Sequence, residues 1–136
     1  MHHRELILRD KRPPAEKHLD TDLTWFCHAF GFQEPRDKGE VAIRLFHEFL
    51  DAAREGRQLT TKELMEHHDL SRGLTVYYLN KFIARGLVQR LGNKYELRHT
   101  NLENVVDELE KDASRTFATI RGIARELDDV FGLKKR

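Results

Sequence analysis

A single cysteine, Cys27, stands in a chain of 136 residues, so no intrachain disulfide can form and nothing suggests a disulfide framework. Cys27 is expected to be a small buried hydrophobe, not a thiol switch. No apolar run approaches the roughly 20 residues that cross a bilayer. The opening MHHRELILRDKRPP is charged within a few residues of every apolar side chain and has no apolar secretory core. A cytoplasmic protein without membrane contact is therefore expected. No nucleotide-binding glycine loop, no Gly-x-Ser-x-Gly elbow and no evident carboxylate pair occur, so neither catalysis nor a cofactor is expected. Eight histidines are present, yet no Cys-x-Cys or His-x-x-x-His pair has ligand spacing. His67 and His68 are adjacent and would point about 100° apart on a helix, as would Cys27 and His28. No metal site is expected, and the histidines are read as solvated or capping.

Charged residues make up 35% of the chain and hydrophobic ones 39%, enough for one ordinary core with an appendage. The net charge of +1 conceals a segregation along the sequence. Between Leu70 and Arg98 stand Arg72, Lys81, Arg85, Arg90, Lys94 and Arg98, against Glu96 alone. Between Asn101 and Phe131 eight acids oppose Lys111, Arg115, Arg121 and Arg125. A basic middle followed by an acidic helix implies one surface for a polyanion and another kept away from it.

Residues 4 to 9 have the composition of a short strand ended by Pro13 and Pro14. Leu19, Leu23, Phe26 and Phe30 follow at helical spacing, which predicts a helix from near Asp20 to Gly31. Trp25, Phe26, Phe30 and Phe32 form an aromatic group whose expected role is core packing; a small-molecule effector pocket there has no support from composition. Pro35 and Gly39 bracket a loop, and Val41, Leu45, Phe46, Phe49, Leu50 and Ala53 predict a second helix capped by Gly56. Thr60 and Glu63 make a capping box that starts a helix over residues 61–67. Ser71 is a good N-cap for a further helix to Ala84 or Arg85, after a turn at His68, Asp69 and Leu70. Residues 87–91 and 94–98 alternate around Gly92-Asn93, a hairpin signature.

Leu102, Val106, Leu109, Ala113, Thr116, Ile120, Ile123, Leu127 and Val130 alternate at spacings of four and three, an unbroken heptad seam. A helix of about 30 residues would run roughly 45 Å at ~1.5 Å per residue, too long to be covered by so small a domain. The stripe is expected to find a second copy of the chain. Neither Asn104, Thr116 nor the flanking charges set whether the two helices run parallel or antiparallel.

Residues 59–98, with Leu70-Ser71-Arg72 opening a helix, Leu79 and Phe82 on its apolar side and Arg85-Gly86-Leu87-Val88 leading into the hairpin, resemble the winged helix-turn-helix of MarR-, ArsR- and PadR-type transcription regulators. The likeness spans about sixty residues with the helix at Val41, and the final helix is similar to the dimerisation helices of such families. It departs at Thr75, where an aliphatic residue is usual, and at Val76 and Tyr77, where polar residues commonly face DNA.

What the resemblance implies is a mainly α fold with a small β-hairpin, a winged helix-turn-helix followed by a long C-terminal coiled-coil dimerisation helix. The divisions are an arm with an accessory helix (1–36), the winged domain (37–98) and the dimerisation helix (99–136). Double-stranded DNA and a second copy of the chain are the implied partners. Ser71, Arg72 and Gly73 would open the recognition helix, with Arg72 able to pair both acceptors of a guanine. Val76, Tyr77 and Asn80 would face the groove, and Lys81 and Arg85 would meet phosphates. Arg90, Asn93 and Lys94 would form the wing, which is short enough to favour backbone contact. The bland alternative for all of these is a set of solvated helix residues. Two further functional alternatives are an architectural, weakly selective DNA-coating protein and a winged helix used for protein contacts.

Overall fold

The computed structural model describes residues 4–15, 18–32, 34, 37 and 40–134, over which the chain is mainly helical with one small antiparallel sheet. Two compact units, residues 1–105 and 106–136, divide it. In the first unit α1 spans Leu19–Ala29, α2 Val41–Glu55, α3 Thr61–His68 and α4 Arg72–Ala84; the strands are β1 Leu59–Thr60, β2 Val88–Leu91 and β3 Lys94–Leu97. α5, Leu102–Phe131, begins in the first unit and makes up most of the second.

Local chemistry accounts for most helix ends. The Thr60 hydroxyl accepts from Glu63 N–H at 3.1 Å while the Glu63 carboxylate accepts from Thr60 N–H at 3.2 Å, so the capping box forms in both directions. Ser71 Oγ accepts from Leu74 N–H at 3.2 Å and starts α4. Gly56, at φ 70°, closes α2 in the left-handed region where a Cβ would be strained. α2 itself starts on a residue that local pattern did not single out: the buried Asp37 carboxylate accepts from Val41 N–H (2.7 Å) and Ala42 N–H (3.0 Å). Pro35 and Gly39, read as bracketing this loop, lie outside the described residues.

Phe82 of α4 is the hub of the core. Its ring meets Phe32 edge-on at 5.2 Å, Phe49 edge-on at 6.1 Å and Phe46 at 6.0 Å, and Phe46 stacks on Phe26 at 5.6 Å. Trp25 donates its indole N–H to the Arg12 carbonyl at 3.1 Å, while Phe26, Phe30 and Phe32 carry the ring contacts of the expected aromatic group. Thr75, the departure from an aliphatic pattern, is fully buried; its hydroxyl donates to the Ser71 carbonyl at 2.9 Å, which lets a polar residue occupy a core position.

Two sequence expectations need correction in this unit. Residues 4–9 are not a strand: Glu5 N–H donates to the Ala84 carbonyl and Arg9 N–H to the Ala29 carbonyl, both at 2.9 Å. Helix ends leave carbonyls without intrahelical partners, and the extended arm uses one at the end of α4 and one at the end of α1 rather than building a ladder. The expected hairpin forms, β2 pairing antiparallel with β3 from Val88 opposite Leu97 to Leu91 opposite Lys94, but the sheet is not two-stranded. β1 pairs antiparallel with β3, Leu59 opposite Tyr95 and Thr60 opposite Lys94, giving the order β1-β3-β2.

In α5 the Asn101 side chain accepts from Asn104 N–H at 2.8 Å, and Val105, not Val106, is the fully buried residue of the first turn. Within the second unit Val106 is 37% exposed and Leu109 buried. With Leu102 and Ala113 half-buried, the continuous open part of the expected seam runs through Thr116, Ile120, Ile123, Leu127 and Val130, with Val106 exposed apart from it. Phe117 and Phe131, outside that seam, are exposed beside it, and these large apolar residues from Phe117 to Phe131 are 51–78% exposed. Gly132, at φ 67°, ends the helix, with Leu133 N–H returning to the Asp128 carbonyl at 2.9 Å. Among the described residues no helix is long and apolar enough to cross a membrane.

Candidate nucleic-acid interface

Three elements of the first unit converge on a groove of about 550 Å³. α4 contributes Arg72, Val76 and Asn80, four residues apart and so on one face of the helix. The hairpin contributes Arg90, Asn93 and Tyr95. Thr60, Thr61 and Lys62 complete it from the β1–α3 junction, placed beside the hairpin by the pairing of Thr60 with Lys94.

Lys62, Arg72 and Arg90 make the groove basic, and among the described residues no carboxylate lines it. The Arg90 guanidinium lies 5.8 Å from the Tyr95 ring centroid and its Nε donates to the Gly92 carbonyl at 2.7 Å. Stacking and that backbone bond hold a long side chain that would otherwise lose rotamer entropy on binding. Asn80 and Asn93 add short donors and acceptors, and Val76 puts an apolar spot between Arg72 and Asn80. A second hollow of about 320 Å³ behind the sheet differs in character: it contains Glu96, whose carboxylate already accepts from Gln89 (2.9 Å) and Gln58 (3.3 Å).

The structure separates the expected contact residues. Arg72, Val76, Asn80, Arg90 and Asn93 come together in the groove. Ser71 is occupied as a cap, Lys94 is exposed at the hairpin, and a Cβ built on Gly73 would meet nothing within 4 Å, so no packing constraint requires glycine there. Lys81 and Arg85 are corrections. The Lys81 side chain is 10% exposed and pairs with Glu34, whose carboxylate also accepts from the Tyr77 hydroxyl at 2.5 Å. Arg85 is 8% exposed, with Nη1 donating to Glu5 at 3.0 Å and Nε to the Phe30 carbonyl at 3.4 Å. Cations spent on the fold are not available to phosphates. Lys62, Thr60 and Thr61 were missed; the capping box located them on a helix start, but only the β1–β3 pairing puts that start at the groove.

The histidines are neither capping nor merely solvated at residues 67 and 68. His67 Nδ1 lies 2.7 Å from one oxygen of Glu48 and His68 Nε2 2.6 Å from the other, so a single carboxylate on α2 holds the end of α3. Among the described residues no group of three or more side chains is placed to hold a metal ion. Burial pushes the Cys27 thiol up to about 12, well away from thiolate chemistry at neutral pH.

Comparison with family models, with curated proteins and with solved structures gives no match.

Proposed function

We propose that the protein is a cytoplasmic, dimeric, double-stranded-DNA-binding regulator of the winged helix-turn-helix kind, with α4 as recognition helix and the β2–β3 hairpin as wing. The observation that carries this reading is the basic groove formed by α4, the hairpin and the start of α3, which no carboxylate lines among the described residues. Arg72, at the N-terminal end of α4, has the fork geometry to pair guanine in a major groove, with Asn80 two turns on as a second base reader. Val76 between them suits a thymine methyl. Lys62, Arg90 and Lys94 anchor phosphates, and a polyanion gains from each by counterion release. Catalysis has no place in this reading.

With Lys81 and Arg85 committed to the fold, the phosphate-facing cations are few, which counts against the architectural, weakly selective alternative, whose affinity would come from phosphate contacts alone. Titration of the full chain against an enriched duplex and random duplex over a salt series separates the readings. A regulator binds the enriched site on the order of 10³-fold or more tightly than random DNA. Equal affinities select the architectural reading, and no salt-dependent binding at all leaves the groove to a protein partner.

A further inference from the structure

We infer that the open stripe of α5 packs on α5 of a second copy in antiparallel orientation, about a two-fold axis passing between Arg121 and Gly122. The inference rests on the homodimer reading above and specifies its geometry. About that axis the stripe is self-complementary: Ala113 meets Val130 of the second copy, Thr116 meets Leu127 and Ile120 meets Ile123.

The residues flanking the seam decide the direction. On one flank stand Glu110, Phe117, Ala124 and Phe131; on the other, Asp112, Thr119, Glu126 and Leu133. In a parallel pair each flank faces the opposite flank of the partner helix. Phe117 would then face Asp112 and Phe131 would face Glu126, setting two exposed phenylalanines against carboxylates. In an antiparallel pair each flank faces its own kind. Phe117 then packs over Ala124 of the second copy, large against small, so that Phe131 alone, opposite Glu110, still faces a carboxylate, where the parallel pair sets both phenylalanines against acids.

The charge blocks agree. Five acids between Glu103 and Asp112, interrupted by Lys111, are followed by Arg115, Arg121 and Arg125, then by Glu126, Asp128 and Asp129. A parallel pair lays every block on its own copy. The antiparallel pair brings Arg115 level with Asp128 of the second copy, and Lys134 level with the run containing Glu108 and Glu110. Exposed pairs contribute little each, so the apolar flank sets the direction and the charges add to it.

Disulfide trapping in the full chain tests this, since Cys27 is fully buried and does not compete. Ala113→Cys and Val130→Cys, oxidised separately, are expected to give no covalent dimer, whereas an equilibrated mixture of the two gives one. Spin labels on Asp107→Cys should lie about 45 Å apart along the helix axis at ~1.5 Å per residue, against under about 20 Å for a parallel pair. Self-crosslinking of either single variant, a dimer that crosslinks in neither arm, or the short distance overturns the orientation. A wild-type chain that sediments as a monomer at tens of micromolar overturns the homodimer reading itself.

Discussion

Arg85→Ala and Arg72→Ala should have opposite effects, although both remove an arginine from α4 or its end. Arg85 is 8% exposed, and its loss removes the donor to the Phe30 carbonyl, the pair with Glu5 and the packing of its aliphatic stem. A hydrogen bond from a charged group contributes about 1.5–3 kcal/mol, here toward the low end because the contact is 3.4 Å long. Glu5 is 65% exposed, so solvent screens the ion pair to about 0–1 kcal/mol. A loss of about 2 kcal/mol follows, which a urea slope of roughly 1–3 kcal/mol per molar converts to a midpoint lower by about 1 M. The slope of log DNA affinity against log salt should not change. Arg72 is exposed at the start of α4, so its removal should shift the urea midpoint little while costing about 1–3 kcal/mol on a preferred duplex. Urea denaturation followed by circular dichroism, with fluorescence anisotropy on labelled duplex, measures both. If Arg85→Ala flattens the salt dependence and leaves the urea midpoint in place, the separation of structural from DNA-facing cations is wrong.

Ile120→Lys with Ile123→Lys should give monomers in sedimentation, because both side chains lie more than half exposed on the stripe; an unchanged dimer would place the interface elsewhere. Lys94→Ala should weaken specific and random DNA alike and reduce the salt slope by about one phosphate contact per subunit; a change on the preferred site alone would make Lys94 a base reader. Burial first, then the nearby Asp37 and Glu34 carboxylates, push the Tyr78 phenol up to about 12. The folded protein thus holds a proton that the unfolded chain releases near pH 10, so stability should fall as pH rises from about 10 to about 12, and Tyr78→Phe should flatten that decline in thermal melts. Thr75→Val keeps the shape of a fully buried residue, and the Ser71 carbonyl still accepts from the residue 75 N–H at 3.1 Å. Its melting free energy should therefore change by less than about 1 kcal/mol, and a larger loss would show the hydroxyl to be needed.

Features set by neighbours in sequence could be read from it. The Thr60–Glu63 box, the Ser71 cap, the Gly56 stop and the turn at Gly92-Asn93 each depend on residues within a few positions. β1 was not legible, because two residues carry no alternation and become a strand only when β3 lies beside them. Lys81 and Arg85 read as surface charge because their partners are distant: Glu34 is 47 positions away and Glu5 is 80. The choice between Val105 and Val106 shows a similar limit. Both fit an apolar helix pattern with Leu109, and tertiary packing selected Val105. Phe117 escaped because a strict four-three seam passes through Thr116, whereas the exposed stripe is wide enough to include both.

Thr60 occupies three structural roles at once: it pairs with Lys94, caps α3 and lines the groove. The hairpin is consequently a preorganised part of the groove, not a loop that must be ordered by its ligand. Association carries a cost of about 0.5–1.5 kcal/mol for each rotamer-rich side chain it immobilises, and more where backbone must be ordered. For a ligand of this groove the backbone share of that cost would be met during folding, and Arg90, stacked on Tyr95, would have met much of its own. A groove with only a few cations can hold a polyanion when little of the binding free energy is consumed in arranging them.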